Sequence, residues 1–155
     1  MAEVSIVPAR PADADELYLH LREADLRECL AYGKPDVLAG IRESMSGSHI
    51  CWSAWRDTEL LAVFGVAPLS FLTGVGSPWM LGTDALDRHP RILSRVTKPY
   101  LTHMLGIYPH LLNFVHIDNA RSIRWLKRLG FSFSAPQPYG LRGQMFHRFE
   151  MHAHV

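Results

Sequence analysis

The run Asn119-Ala120-Arg121-Ser122-Ile123-Arg124-Trp125-Leu126-Lys127-Arg128-Leu129-Gly130-Phe131 constrains this chain more than any other stretch. Asn119 is a strong N-cap, because its side-chain oxygen accepts from a first-turn N–H that has no partner inside the helix. Ile123, Leu126 and Leu129 recur at helical spacing and make one apolar stripe. Gly130 supplies the left-handed residue that ends such a helix. Strands flank it, the buried-looking Leu111 to Ile117 before and Phe131 to Ser134 after. A single-striped helix joining two strands has to lay that stripe on a sheet.

The rest of the chain agrees with a mixed architecture. Val4 to Val7 reads as a short strand bounded by Pro8. One helix is expected from Pro11 and Asp13 to Gly33, with Asp13 and Glu16 approximating a capping box and Leu17, Leu21 and Ala24 on one face. A second starts at Pro35, in the first-turn position that proline tolerates, and uses Leu38, Ile41 and Met45 as its stripe. His49 to Trp55 and Leu60 to Val66 form a hairpin across the polar Arg56-Asp57-Thr58-Glu59, and Ser77 to Thr83 adds a third strand. Asp84 to Tyr108 is mostly helical, with Pro99 either kinking it or starting a new helix. Gln144 to His152 closes the chain as a strand. This order predicts a single α/β (α+β) domain over residues 1–155, its mixed, mostly antiparallel sheet of six or seven strands flanked by helices.

Bulk properties exclude several classes. A length of 155 residues suits one core, and 48% apolar with 20% charged residues is ordinary globular usage. A net charge of +1 carries no demand for nucleic acid or an anionic membrane. No apolar run approaches the ~18 residues of a membrane span, and Met1 to Pro8 lacks the basic and apolar parts of a targeting segment. Cys29 and Cys51 sit at no metal-ligand spacing and suggest no disulfide scaffold, so a reducing compartment is the simpler expectation.

Two further motifs sharpen the reading. The Asn119–Phe131 run resembles the last helix of the GNAT (GCN5-related N-acetyltransferase) fold, where an Asn…aromatic-Tyr-x-x-x-Gly-Phe pattern is found; Leu126 stands here in place of its tyrosine. Phe64-Gly65-Val66-Ala67-Pro68, Trp79-Met80-Leu81-Gly82-Thr83-Asp84, Tyr108-Pro109-His110-Leu111-Leu112-Asn113 and Ile123–Phe131 are together similar to the GNAT-like internal virion protein A family of short-tailed phages and prophages. The likeness runs from about Ser48 to Met151, about two thirds of the chain. It implies a GNAT-like domain encoded among virion genes, with phage virion or host proteins as partners and the host cytoplasm or the virion as its place.

The GNAT resemblance also implies where a cofactor would lie. Acetyl-CoA or CoA is the ligand of that fold, its pyrophosphate held by a glycine-rich turn at a helix N-terminus. The matching positions are Leu81, Gly82 and Thr83, then Arg88 and Arg91 as side-chain phosphate ligands, and Asn119. The turn itself, Asp84-Ala85-Leu86-Asp87-Arg88-His89-Pro90-Arg91-Ile92, has no glycine, adds two carboxylates and loses an N–H at Pro90. Leu126 cannot donate a proton where the family's tyrosine acts as general acid. His116, Asp118 and Asp84 are residues of the right type for a base, against plainer roles as a strand-end histidine, a turn carboxylate and an N-cap. No catalytic residue and no cofactor is assigned, which leaves degenerate chemistry and a working acetyl-CoA-dependent N-acetyltransferase as the two readings.

Other clusters read more plainly. Arg121, Arg124 and Arg128 share a helix face with Lys127 beside them, which reads as a solvated face or as a grip on phosphate, a cofactor's or a nucleic acid's, without the interleaved aromatics of single-strand binders. Glu150, His152 and His154 alternate on one strand face, but three ligands at a chain end make a poor cage, and no metal is expected. Trp52, Trp55, Trp79 and Trp125 serve packing, or in part an interface.

Overall fold

Among residues 3–154, which the computed structural model describes apart from the side chains of Pro90 and Ser94, every strand joins one sheet. The chain runs β1 (Val4–Pro8), α1 (Asp13–Leu19), α2 (Glu23–Tyr32), α3 (Val37–Gly47), β2 (Ile50–Arg56), β3 (Glu59–Ser70) and β4 (Val75–Gly82). It continues through α4 (Asp84–Asp87), α5 (Pro90–Ile107), β5 (His110–His116), α6 (Ala120–Leu129), β6 (Ser132–Phe133), β7 (Gln137–Tyr139) and β8 (Gln144–His152). The sheet order is β1-β2-β3-β4-β5-β8-β6, with β7 also on β8. All pairings are antiparallel except β4 with β5.

Helices cover both faces. Ala14, Leu17, Val37 and Ile41 of α1 and α3 pack with Leu60 and Val63 of β3. On the other face Leu93 and Met104 of α5 and Leu126 of α6 close over Phe64, Leu111 and Phe149. Residues 60–66 of β3 are therefore almost wholly buried, as their unbroken apolar run requires of a strand covered twice.

The opening helix forms as its residues dictate. The Asn119 side chain accepts from the Ser122 amide at 3.3 Å, and Gly130 ends α6 at φ +102°. The Phe131 amide then returns to the Leu126 carbonyl at 3.1 Å, the 6→1 bond of a helix stop. The following strand begins at Ser132 rather than Phe131.

Several expectations are corrected. The single helix from Asp13 to Gly33 is two. Leu21 makes a β-bridge to Thr83, and Arg22 is extended at ψ 150°, its amide donating to the Gly82 carbonyl at 3.0 Å. A tertiary pairing thus overrides a continuous helical pattern. Asp13 forms no capping box; its buried carboxylate accepts from the Ser53 hydroxyl at 2.7 Å and the Arg10 amide at 2.9 Å. Pro35 precedes α3, because Asp36 takes the N-cap and accepts from the Ala39 amide. Thr83, not Asp84, is the N-cap residue of α4. Pro99 starts no new helix. Pro99 and Arg95 are both exposed, so the carbonyl that proline orphans faces water and α5 continues to Ile107. The sheet has eight strands rather than six or seven, because the prolines around Gln137–Tyr139 hide an edge strand.

Gly76 pairs with Leu111 at the single parallel contact, and a Cβ there would meet the Tyr108 ring at 2.5 Å. Gly76→Ala should cost about 1–3 kcal/mol by overpacking. Gly106→Ala, on an exposed helix position with open space, should gain roughly 0.5–1 kcal/mol. Urea unfolding of both variants checks the pair; equal midpoints would contradict it.

Candidate functional site

The parallel pairing of β4 and β5 covers only Val75↔His110 and Gly76↔Leu111. Beyond it Pro78 offers β5 no N–H, and the Asn113 side-chain amide donates to the Pro78 carbonyl at 2.7 Å where a backbone donor would stand. The strands then part. The gap is a cavity of about 360 Å³, walled by Trp79, Met80 and Leu81 on one side and Phe114 and Val115 on the other. Trp125 and Leu126 of α6 and Glu28 and Cys29 of α2 also line it.

The backbone edge of β4 can be read from its ladder. The Thr83 amide bonds to Leu61 of β3, so by alternation Pro78, Met80 and Gly82 turn their groups toward the cleft. Gly82 is already used. Its N–H donates to Asp25 Oδ2 at 2.7 Å, and its carbonyl accepts from the Arg22 amide. Met80 remains aimed at the open space. Trp125, which lines the cavity from α6, has its indole N–H buried without a partner, a donor that a bound acceptor would satisfy.

Above the cleft the chain answers its own cations. Arg22 and Asp25 are both buried, with Nε donating to Oδ2 at 2.6 Å. Arg22 also meets Asp87 Oδ1 at 3.4 Å, and Arg121 reaches the same oxygen at 2.5 Å. Arg88 pairs with Glu59 at 2.6 Å. Arg91 is exposed on the first turn of α5. Thr83 is buried and donates to the Leu60 carbonyl at 2.6 Å. Of the residues expected to face a cofactor, Leu81 lines the cavity. Asn119 touches it through Glu28, while Gly82, Thr83, Arg88 and Arg91 lie toward the α4 end with the partners given.

Glu28 is the site residue that the sequence reading missed. Oε1 accepts from the His116 amide at 2.9 Å and Oε2 from the Asn119 side chain at 2.6 Å, tying α2 to β5 and α6. Burial pushes its carboxyl above the usual glutamate range, against the pull of those two donors. The signal was spacing: Arg22, Asp25 and Glu28 recur every third residue and put a polar stripe on an inward helix face. Cys29 is not a ready nucleophile, since burial and then the neighbouring Asp25 and Glu28 push its thiol up to about 11. His116 is tied by Nε2 to Gln144 Oε1 at 2.8 Å, while its Nδ1 accepts from the Asp118 amide. His116, Asp118 and Asp84 do not line the cavity.

The fold is that of GNAT acetyltransferases. The chain superposes on Ard1 from Thermoplasma volcanium with a TM-score of 0.75 at 15% identity, over 98% of this chain and 99% of that one. It matches smu.2055 from Streptococcus mutans UA159 with a TM-score of 0.73 at 15% identity, over 96% and 98% of the two chains. RimL, a ribosomal L7/L12 alpha-N-protein acetyltransferase solved in complex with coenzyme A, gives a TM-score of 0.73 at 10% identity, over 99% and 96%. No protein-family model matches the sequence, and no curated protein matches it.

Asn119→Ala removes a cap worth about 1 kcal/mol and a charge-assisted bond worth about 1.5–3 kcal/mol, so a loss of about 2–4 kcal/mol is expected on urea unfolding. Asn119→Asp keeps a good cap but sets a second carboxylate against Glu28, and should not restore stability; full rescue by aspartate would refute the Glu28 contact. Because the folded pKa of Glu28 is raised, the native state holds its proton more tightly than the unfolded chain does. Its contribution favours folding at low pH and is lost as pH climbs from about 4.3 through the raised value. Carbon-detected NMR titration of Glu28 should give a midpoint above the ordinary range, and a midpoint at or below it would reject this reading.

Proposed function

We propose that this chain is a phage- or prophage-encoded GNAT-fold protein that acts as a virion-associated or assembly module, with acetyl-transfer chemistry lost. One observation carries the loss: the chain's own carboxylates engage most of the groups that a cofactor pyrophosphate would use, the exposed Arg91 excepted. Gly82 N–H is taken by Asp25, and Arg22 and Arg121 are taken by Asp87. The turn that should cradle phosphates is instead the helix α4, carrying Asp84 and Asp87, and α5 begins with a proline that has no N–H. A diphosphate does not fit this set. Leu126 faces the cleft and offers no proton to a leaving thiolate.

The phage assignment is supported by the motifs from Phe64 to Phe131 that resemble the internal virion protein family. On this reading the protein works in the host cytoplasm and in the particle, with phage virion or host proteins as partners. Its two free cysteines and the lack of any described helix long and apolar enough to cross a membrane are compatible with it.

The second reading is an acetyl-CoA-dependent N-acetyltransferase acting on a host or phage protein. The open cleft favours it, with Met80 groups and the Trp125 indole unfilled and the Glu28 carboxylate at its rim. Calorimetry with acetyl-CoA separates the two. We expect no binding at ligand up to about 1 mM; micromolar binding with acetyl transfer to a lysate protein would replace the first reading by the second. Mass spectrometry of purified particles should find the chain. Its absence there, with normal assembly after deletion of its gene, would remove the virion role.

A further inference from the structure

The opposite end of β5 holds a second constellation, independent of the cleft chemistry. His110 opens β5 and faces His152 of β8 as its direct cross-strand partner, while Glu150 lies two residues before His152 on the same face. The side-chain ligand atoms of His110, Glu150 and His152 lie within 4.8 Å of one another, the one such trio among the described residues. His110 Nε2 stands 2.9 Å from Glu150 Oε2. The sequence pattern pointed along β8 to His154, and so to a fraying chain end. Sheet pairing supplies His110 instead, from a strand held by neighbours on both sides.

We propose that His110, Glu150 and His152 form a binding site for a divalent transition ion, zinc being the probe of choice. Two imidazoles and one carboxylate are a donor set that zinc takes, with bonds of about 2.0–2.2 Å and a fourth position left to water. Such bonds set tetrahedral ligand atoms roughly 3.3 Å apart. The trio lies within 4.8 Å, close enough for a small closing movement to reach that spacing. The two imidazole rings are stacked at 4.0 Å with 19° between their planes, so their in-plane lone pairs run side by side, and the exposed His152 ring has to turn out of the stack for both nitrogens to reach one ion. His110 and Glu150 are half-buried while His152 is exposed, which leaves one open side for the ion and its water. Arg148 lies 3.8 Å from Glu150 Oε1, the oxygen not facing His110, and orients the carboxylate so that Oε2 points into the site.

The location gives the site a task. His110 is paired with Val75 at the apex where β4 and β5 still touch before they part. An ion there ties the end of β8 to that apex through side chains as well as through the ladder.

The test uses the full chain after dialysis against chelator. Zinc titration by calorimetry should show one ion per chain, cobalt should give the visible absorption of a tetrahedral site, and zinc should raise the thermal midpoint. His152→Ala changes an exposed side chain and should weaken zinc by about 100-fold or more, beyond the roughly 10–100-fold cost of losing an outer partner. Glu150→Gln should do the same, and His154→Ala should bind as the parent does. Absence of zinc binding up to about 1 mM would overturn the proposal. So would undiminished binding by His152→Ala, or binding lost with His154→Ala alone.

Discussion

A guanidinium buried in a protein must have its charge answered, and Arg22 sits where three parts of this fold meet. Its side chain is held by Asp25, its amide by the Gly82 carbonyl, and Asp25 in turn accepts the Gly82 N–H. This exchange welds the start of α2 to the end of β4. It explains why the first helical segment breaks at Leu21, why β4 stops at Gly82, and why α4 turns where it does. Removing Arg22 would strand Asp25 in the interior, a loss of about 3–5 kcal/mol, whereas Arg22 without Asp25 would keep Asp87 at 3.4 Å. The junction therefore fixes the α2 and β4 sides of the cleft's upper rim relative to each other.

The cleft itself depends on a different and equally local device. A parallel pair needs evenly spaced donors along both edges. Pro78 removes one, and the Asn113 amide caps the carbonyl left behind. Once the ladder fails, the strands are free to diverge, and α6 fills part of the space with Trp125 and Leu126. Glu28 then fastens α2 across the gap to β5 and α6, so three elements that share no ladder are joined by one carboxylate.

What could be read in advance follows from which forces are local. The cap at Asn119, the stripe of α6 and the stop at Gly130 depend on neighbours within a turn or two, and all were legible. The apolar run from Leu60 to Val66 announced a strand, and its burial on both faces came with the helices that cover it. The break at Leu21 was not legible, because the β-bridge to Thr83 joins residues far apart in the chain. Asp13 looked like a cap because its partner, Ser53, comes from a distant strand. β7 was hidden by prolines that an edge strand tolerates. For the site, a motif led to Leu81, which lines the cavity, and to Asn119, which meets it only through Glu28, while Glu28 itself required noticing a polar stripe on an inward face. His110 required knowing which strand pairs with β8.

The residues that build the cleft and the residues that would run acetyl transfer are separate sets. Gly76, Pro78, Asn113 and Gly130 shape the parting of the strands and the seat of α6. The phosphate turn and position 126 bear on chemistry and contribute little to that shape. A chain can therefore exchange a glycine turn for α4 and a tyrosine for Leu126 while the sheet still parts in the same place. What such a chain retains is a walled, partly apolar gap with an unpaired backbone edge at Met80 and a buried indole donor. Those groups answer to any extended ligand that brings hydrogen-bond partners, so the parting of the strands provides a place to bind that does not depend on the phosphate turn.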